Sequence, residues 1–157
     1  MTVSTLLTAE PIAADAELAG FIASARGAGA VVSFTGIARP QDHHGGHVQQ
    51  LLLEHYPGMT ERSLDTVAAA TVERFEISSL HIVHRYGAID PGETIVFVAA
   101  AATHRREAFR AADHAMDLLK TEAMFWKREA GVDGARWIEP SERDRADRER
   151  WDQQWPE

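Results

Sequence analysis

Residues 94–128, TIVFVAAAATHRREAFRAADHAMDLLKTEAMFWKR, decide the fold. The first part, Thr94–Ala102, is apolar almost throughout and predicts a strand. The segment Arg105–Lys120 then repeats apolar residues at helical spacing and predicts a helix. Four side chains of this helix are expected to point inward: Phe109, Ala112, Met116 and Leu119. Because Met124–Arg128 predicts a short closing strand, the stretch combines helix and strand in one core.

The rest of the chain continues this mixture of elements. Its periodicity predicts two more helices, over Ala14–Ala25 and from Thr60 onward. Further strands are predicted over Gly29–Ala38, Val48–His55, Ser79–Arg85 and Arg136–Ile138. A type II turn is predicted at Asp90-Pro91-Gly92-Glu93 and a polar, mobile loop at Pro40–His47. We therefore expect an α+β fold: one domain over residues 1–140, and a charged tail, 141–157, that is either helical or disordered.

The composition narrows the possible functions. The net charge is -8 at pH 7, which argues against a nucleic-acid binder with a general basic surface. No apolar run is long enough to cross a membrane, and no basic-then-apolar leader begins the chain, so a cytoplasmic location is expected. Cysteine is absent, which excludes disulfides, cysteine-bound metals and a thiol nucleophile. If the protein handles sulfur, another molecule must carry it.

A cluster of cations follows the apolar strand, where the long helix begins. Thr103 is a suitable N-cap, but His104, Arg105 and Arg106 bring positive charge to the positive end of the helix dipole. Each such charge costs about 0.3–1 kcal/mol, whereas free backbone N–H groups and cations together make an anion site. We therefore predict an anion site here. The alternative is that the arginines face solvent or pair with acids such as Glu107.

The chain uses lysine only twice. Of its 16 lysine and arginine residues, only Lys120 and Lys127 are lysines, seven residues apart. Lysine can lose its proton when it is desolvated and can then act as a base, an acid or an amine nucleophile. The alternatives are a helix C-terminal charge for Lys120 and a solvated strand residue for Lys127. Arg39, at a strand end, is a further candidate because arginine can grip a phosphate with two hydrogen bonds.

Several histidines are candidate metal ligands by residue type. His43, His44 and His47 share one loop, but Asp42 is the only nearby acid, and no metal is assigned to them. His81 and His84 differ in strand parity, so their side chains point to opposite faces and cannot chelate one ion together.

Five segments, taken in order, make the chain resemble the large subunit of molybdopterin synthase. Each segment alone would be weak, but their order across residues 1–140 is specific. They are Ser33-Phe34-Thr35-Gly36-Ile37-Ala38-Arg39, Leu53-Glu54-His55-Tyr56-Pro57-Gly58-Met59, His84-Arg85-Tyr86-Gly87 with Gly92-Glu93, His104-Arg105-Arg106-Glu107-Ala108-Phe109, and Leu119-Lys120-Thr121 with Phe125-Trp126-Lys127-Arg128-Glu129.

The resemblance implies an α/β hammerhead fold and a dimer of large subunits, with a ubiquitin-like small subunit at each end of the heterotetramer. It implies that the small subunit's C-terminal thiocarboxylate supplies sulfur to cyclic pyranopterin monophosphate, and that two transfers build a dithiolene. No cofactor is expected. By position, Lys120 and Lys127 resemble the catalytic lysines. Arg39, His104 and Arg105 resemble the substrate contacts, and whether some of these cross the dimer is left open.

Two other functions remain open at this point. One is a subunit that binds the small partner without chemistry, and the other is a metal-dependent hydrolase of phosphorylated metabolites built on the loop histidines. The chain also departs from the family at Pro140, where a late arginine contact is either missing or supplied by Arg143.

Overall fold

The computed structural model describes residues 1–42, 44–132 and 134–153. Within this part of the chain the elements follow in the order β1 (Thr2–Thr8), α1 (Ala14–Ser24), β2 (Ala30–Ile37), β3 (Val48–His55), α2 (Met59–Arg74), β4 (Ser79–Arg85), β5 (Gly87–Ile89), β6 (Thr94–Ala102), α3 (Arg105–Thr121), β7 (Phe125–Gly131), β8 (Gly134–Ile138) and α4 (Glu142–Glu149). They form two four-stranded sheets, in the orders β1-β4-β6-β2 and β5-β3-β7-β8. The predicted α+β fold is confirmed.

The first sheet is buried on both faces around β6. Val98, Ala100 and Ala102 face the core formed with α2 and α3, while Phe97 and Ala99 face α1 on the other side. The alanines of β6 are fully buried, and their small side chains let helices pack close to the sheet. The strand predicted over Thr94–Ala102 therefore forms the centre of the domain.

The second sheet carries β7 between β3 and the edge strand β8. Its inner face packs on a small core of Ala38, Leu51, Leu53 and Ile89, with Phe125 partly buried against it. The predicted turn before β6 is also present. Glu93 N–H donates to the Asp90 carbonyl at 3.1 Å, and Gly92 has φ 91°, the positive φ that a type II turn requires at that position.

The described part of the tail contains one helix, followed by a turn. Residues 142–149 are helical, with Ser141 as the N-cap, and Trp151 beyond them is buried. The helical alternative for the tail is therefore the correct one for these residues, while residues 154–157 lie outside the described part. No helix among the described residues combines the length and apolar character needed to cross a membrane.

One prediction about the elements was wrong and one strand was missed. Phe109 of α3 is 62% exposed, because the buried face is lined chiefly by Ala108, Ala111, Ala112, Ala115, Leu118 and Leu119. Small alanines give the closest approach to the sheet, so the helix turns them inward and leaves the larger Phe109 outside. Strand β1 was not predicted at all, because it is a largely exposed edge strand whose pairing partner, β4, lies far along the chain.

Candidate active site

The two lysines lie close to each other where α3 ends and β7 begins. Lys120 is in the last turn of α3, and Lys127 pairs with Leu53 of β3 and Ile138 of β8. The charge of Lys120 acts on Lys127. Among the described residues, neither ammonium group has a hydrogen bond or an ion pair to another side chain. Both cations are therefore available to an incoming anion.

The environment of Lys127 makes its ammonium group more acidic than that of a surface lysine. Burial lowers the pKa of Lys127 below its ordinary value, and the positive charges of Lys120 and Arg39 lower it further. Glu129 and Asp144 oppose this by raising the pKa. Because burial disfavours a charge that is not paired, Lys127 gives up its proton more readily than a surface lysine does. A proton-transfer or amine role requires this property.

Arg39 belongs to the same site. It directly follows Ala38, whose backbone is fixed by hydrogen bonds to the turn before β6, at 2.9 Å to the Glu93 carbonyl and 2.8 Å from the Gly92 N–H. Its charge acts on Lys127. The structure therefore brings together three of the five predicted site residues: Arg39, Lys120 and Lys127.

His84 is a member of this site that sequence reasoning missed. Its buried ring stacks on Phe125, with 4.2 Å between centroids, and Phe125 lies two residues before Lys127 on the same strand face. Nδ1 donates to the Arg85 carbonyl at 2.9 Å. Burial is the main cause that lowers the pKa of His84 to about 4, and the positive charges of Lys127 and Lys120 lower it further. The hydrogen bond to Arg85 acts in the opposite direction but is outweighed. The ring is therefore neutral at pH 7, and its only sequence signal was its place in the His84-Arg85-Tyr86-Gly87 segment.

The predicted anion site lies at the other end of α3. His104, Arg105, Arg106, Phe109 and Arg110 line an open pocket of about 520 Å³. Both candidate arginines, Arg105 and Arg106, are exposed, and Glu107 lies 3.8 Å from Arg110 rather than pairing with either of them. The pocket therefore offers cations together with the helix N-terminus, which suits an anionic ligand.

The helix start differs from the prediction in one respect. The N-cap is His104, with φ -123° and ψ 145°, and no side chain caps the helix. Thr103 is one residue too early, because the chain turns there against Gly29. A Cβ atom at Gly29 would collide with the Thr103 carbonyl oxygen, so only glycine allows this close approach. The backbone N–H groups of the first turn thus remain open to a ligand.

In a single chain the two groups of predicted residues do not meet. Arg105 and Lys120 are fifteen residues apart on one helix, which corresponds to roughly 22 Å at 1.5 Å per residue. His104 and Arg105 therefore lie far from the lysine pair of their own chain. The side chain of Arg143, the candidate for a late arginine contact, is 91% exposed and pairs with Asp147.

The histidine loop is organised by Asp42. This carboxylate accepts hydrogen bonds from the N–H groups of His44 and Gly46, both at 2.8 Å, and it lies 3.2 Å from Arg136 of β8. The two N–H groups hold the pKa of Asp42 below its ordinary value. Across residues 1–42, 44–132 and 134–153, no group of three or more histidine and acidic side chains is arranged to hold a metal ion, and His43 lies outside the described residues.

Comparisons with known proteins show the family to which the chain belongs. The family model described as MoaE protein matches residues 7–122. The molybdopterin synthase catalytic subunit of Caulobacter vibrioides is 49% identical over 94% of this chain and 97% of its own length. The molybdopterin biosynthesis MoaE protein of Burkholderia ambifaria superposes with a TM-score of 0.81 at 38% identity, covering 98% of this chain and 100% of that one. Molybdopterin synthase from Staphylococcus aureus superposes with a TM-score of 0.75 at 30% identity, over 85% of this chain and 95% of that chain.

These matches confirm the resemblance drawn from the five sequence segments. The family model covers residues 7–122, and the relative and the solved structure cover 94% and 98% of the chain, so sequence and structure give the same family. The chain therefore belongs to the MoaE family, whose curated members are molybdopterin synthase catalytic subunits.

Proposed function

We propose that the chain transfers sulfur to cyclic pyranopterin monophosphate, and that Lys120 and Lys127 act at the reacting atoms. The sulfur arrives as a thiocarboxylate on the C-terminal tail of a ubiquitin-like small subunit. The observation that carries this proposal is the lysine pair, in which the two charges act on each other, no ion pair to another described side chain holds either ammonium group, and the pKa of Lys127 is lowered. The absence of cysteine supports an external sulfur carrier.

Each residue of the site has a distinct task in this proposal. The thiocarboxylate is an anion, and Lys120 holds it by charge, while Arg39 contacts the phosphate of the pterin through charge-assisted hydrogen bonds. Its sulfur attacks a carbon of the pterin, and the oxygen that leaves this carbon needs a proton, which Lys127 donates. Water then cleaves the bond between sulfur and the carbonyl carbon, and the partner tail departs as a carboxylate. His84 stays neutral and adds no third positive charge.

We further propose that a second copy of the chain completes each site. A substrate that carries both a phosphate and the reacting pterin carbons needs an anion site beside the lysines, yet His104 and Arg105 lie roughly 22 Å from Lys120 along α3 of the same chain. In a twofold dimer, α3 of one protomer can present its start to the lysine pair of the other. The site is then shared between two protomers.

A complementation experiment tests this shared site. Lys127→Ala and Arg105→Ala variants are each assayed alone and then after unfolding and refolding as an equal mixture. With sites shared between protomers, each mixed dimer has one intact site, so about a quarter of wild-type activity returns on statistical pairing. With sites confined to single chains, every site carries a defect, and the mixture shows only the mean of the activities that the two variants have alone.

The reaction itself is tested by reconstitution. The protein is mixed with the cyclic pterin and a thiocarboxylated small subunit, and the dithiolene product is measured. We expect product with the thiocarboxylate, none with a partner that ends in a carboxylate, and little or none with free sulfide alone. Binding of the partner without any product would support the non-catalytic alternative. Chelator-sensitive phosphate release would support the hydrolase alternative instead.

A further inference from the structure

The tail is fastened to the domain by Trp151. Its ring is 5% exposed and packs edge-on against Phe75 and His114, with centroids 5.7 and 5.1 Å apart. Its indole N–H donates to Asp117 at 2.6 Å, and Arg74 donates to its carbonyl oxygen. A buried tryptophan whose indole N–H and backbone carbonyl are both hydrogen-bonded is a specific attachment. We call these contacts the Trp151 clamp.

Two arginines of the tail extend the clamp along α3. Arg150 lies 2.7 Å from both Asp113 and Asp117, and Arg148 lies 2.6 Å from Glu122. Glu122 is only two residues beyond Lys120. The helix α4 is therefore held along the C-terminal half of α3, where the lysine pair lies.

Strand pairing also brings the start of α4 towards Lys127. Ile138 ends β8 and is the cross-strand partner of Lys127, and α4 begins four residues later. Asp144, in this first turn, is held by the N–H and the hydroxyl of Ser141 at 2.8 and 2.7 Å. Strand pairing at one end of the tail and the Trp151 clamp at the other thus fix where the Asp144 carboxylate stands.

The charges agree with this placement. Burial alone would raise the pKa of Asp144, but the Ser141 hydrogen bonds and the charges of Lys120 and Lys127 outweigh it and lower the pKa. Asp144 in turn acts on Lys127. The charged groups that face Lys127 are Lys120 of α3, Arg39 after β2, Glu129 of β7 and Asp144 of α4, with the neutral His84 of β4.

We propose that Asp144 is a positioning residue of the lysine site, held in place by the Trp151 clamp and acting through the charge of its carboxylate on Lys127. Its effect on turnover rests on the proposed function of the lysines. The effect of Asp144 on the pKa of Lys127 does not depend on that function, because it can be measured in the protein without substrate. The tail is then a working part of the site and not only a surface helix.

The lysine content of the chain makes a direct test possible. Protein labelled with ¹³C at lysine Cε gives only two side-chain signals, which Lys120→Arg and Lys127→Arg assign. Asp144→Asn keeps an oxygen acceptor for Ser141 but removes the charge. Because a lost anion disfavours the neighbouring ammonium, we expect the pKa of Lys127 to fall by about half a unit. The matched control is Asp147→Asn on the same helix. This substitution should leave the pKa of Lys127 unchanged.

Two further measurements separate charge from structure. Ser141→Ala weakens the cap but keeps the carboxylate, so it should move the Lys127 titration less than Asp144→Asn does. Under turnover, Asp144→Asn should shift the pH–rate profile to lower pH by the same amount as the NMR titration. An unchanged Lys127 pKa in Asp144→Asn, or equal shifts in Asp144→Asn and Asp147→Asn, overturns the proposal. A shifted pKa in a protein whose Lys127→Ala variant still turns over would instead overturn the proposed role of the lysine.

Discussion

The two ends of α3 carry the two halves of the candidate site, and they are built in opposite ways. At the start, His104 and Arg105 are exposed, the helix has no side-chain cap, and the cations oppose the helix dipole. At the end, Lys127 is partly buried, a neutral histidine lies beside the pair, and two carboxylates, Glu129 and Asp144, moderate its charge.

This difference indicates a division of labour. An exposed, uncapped helix start with unopposed cations binds an anion without changing any protonation state. A partly buried lysine among balanced charges is suited to move a proton. The start is therefore a binding half and the end a reacting half, and substitutions at the two ends should fail in different ways.

The largest effect is expected at the reacting half. Lys127→Ala and Lys120→Ala should each lower single-turnover product formation at least about a hundredfold, as for the loss of a general acid or base. Lys127→Arg should also be poor, because arginine does not readily give up a proton, whereas Lys120→Arg keeps the positive charge and should lose less activity. Arg143→Ala, at a 91% exposed side chain, is the control and should be near wild type. A wild-type rate in Lys127→Arg would remove the proton-transfer role.

Substitutions at the phosphate contacts should weaken binding instead. Arg39→Ala, His104→Ala and Arg105→Ala should each cost about 1–3 kcal/mol of substrate affinity, as expected for charge-assisted hydrogen bonds. Calorimetry with the cyclic pterin measures this directly. Arg106→Ala is expected to matter less, and a larger loss for Arg106 than for the other three would show that the register of this helix start was misread.

Much of the fold could be predicted from sequence, because its central elements have strong local signals. Strand β6 is an unbroken apolar run and α3 a clear helix. The inward face of α3 was misjudged because alanines weigh little in an apolar pattern, although they pack closest to the sheet. Strand β1 has no such pattern, since it depends on pairing with the distant β4.

The site was predictable to a different degree. The lysines stood out because the chain otherwise uses only arginine, and the helix start stood out because its charges oppose the dipole. The distance between the two halves was already implied by fifteen residues of helix. His84 and Asp144 could not be found in this way, because a buried neutral histidine looks like any strand residue and Asp144 lies in a charged run typical of a solvated face.

Acid should destabilise the protein through its buried histidines. The folded pKa values of His84 and His114 are about 4, mainly because of burial, against 6.5 in the unfolded chain. The unfolded state therefore binds more protons between pH 6.5 and 4, and stability falls as the pH is lowered through this window. At pH 5 each histidine should cost about 2 kcal/mol relative to pH 8.

Urea unfolding at pH 8 and pH 5 measures this effect. His84→Asn keeps a donor for the Arg85 carbonyl but cannot titrate, so its stability should fall less between the two pH values than that of wild type. His47→Asn is the control, because His47 is exposed, and it should show the wild-type loss. An equal loss in wild type and His84→Asn would mean that His84 is not kept neutral in the folded protein.

The smallest expected change in stability is at the N-cap of α3. It tests whether His104, a residue suited to bind an anion, stabilises the helix less than a good cap residue would. His104→Asp places a good cap residue at the N-cap position and a negative charge at the positive end of the dipole. It should stabilise the protein by about 1 kcal/mol while abolishing measurable binding of the pterin phosphate.

Thr103→Ala is the matched control: since Thr103 is not the cap, its cost should stay within about 0.5 kcal/mol. If Thr103→Ala lowered the free energy of unfolding as much as the loss of an N-cap does, Thr103 would be the N-cap residue instead of His104. Retained binding in His104→Asp would take His104 out of the anion site and leave Arg105 as its centre.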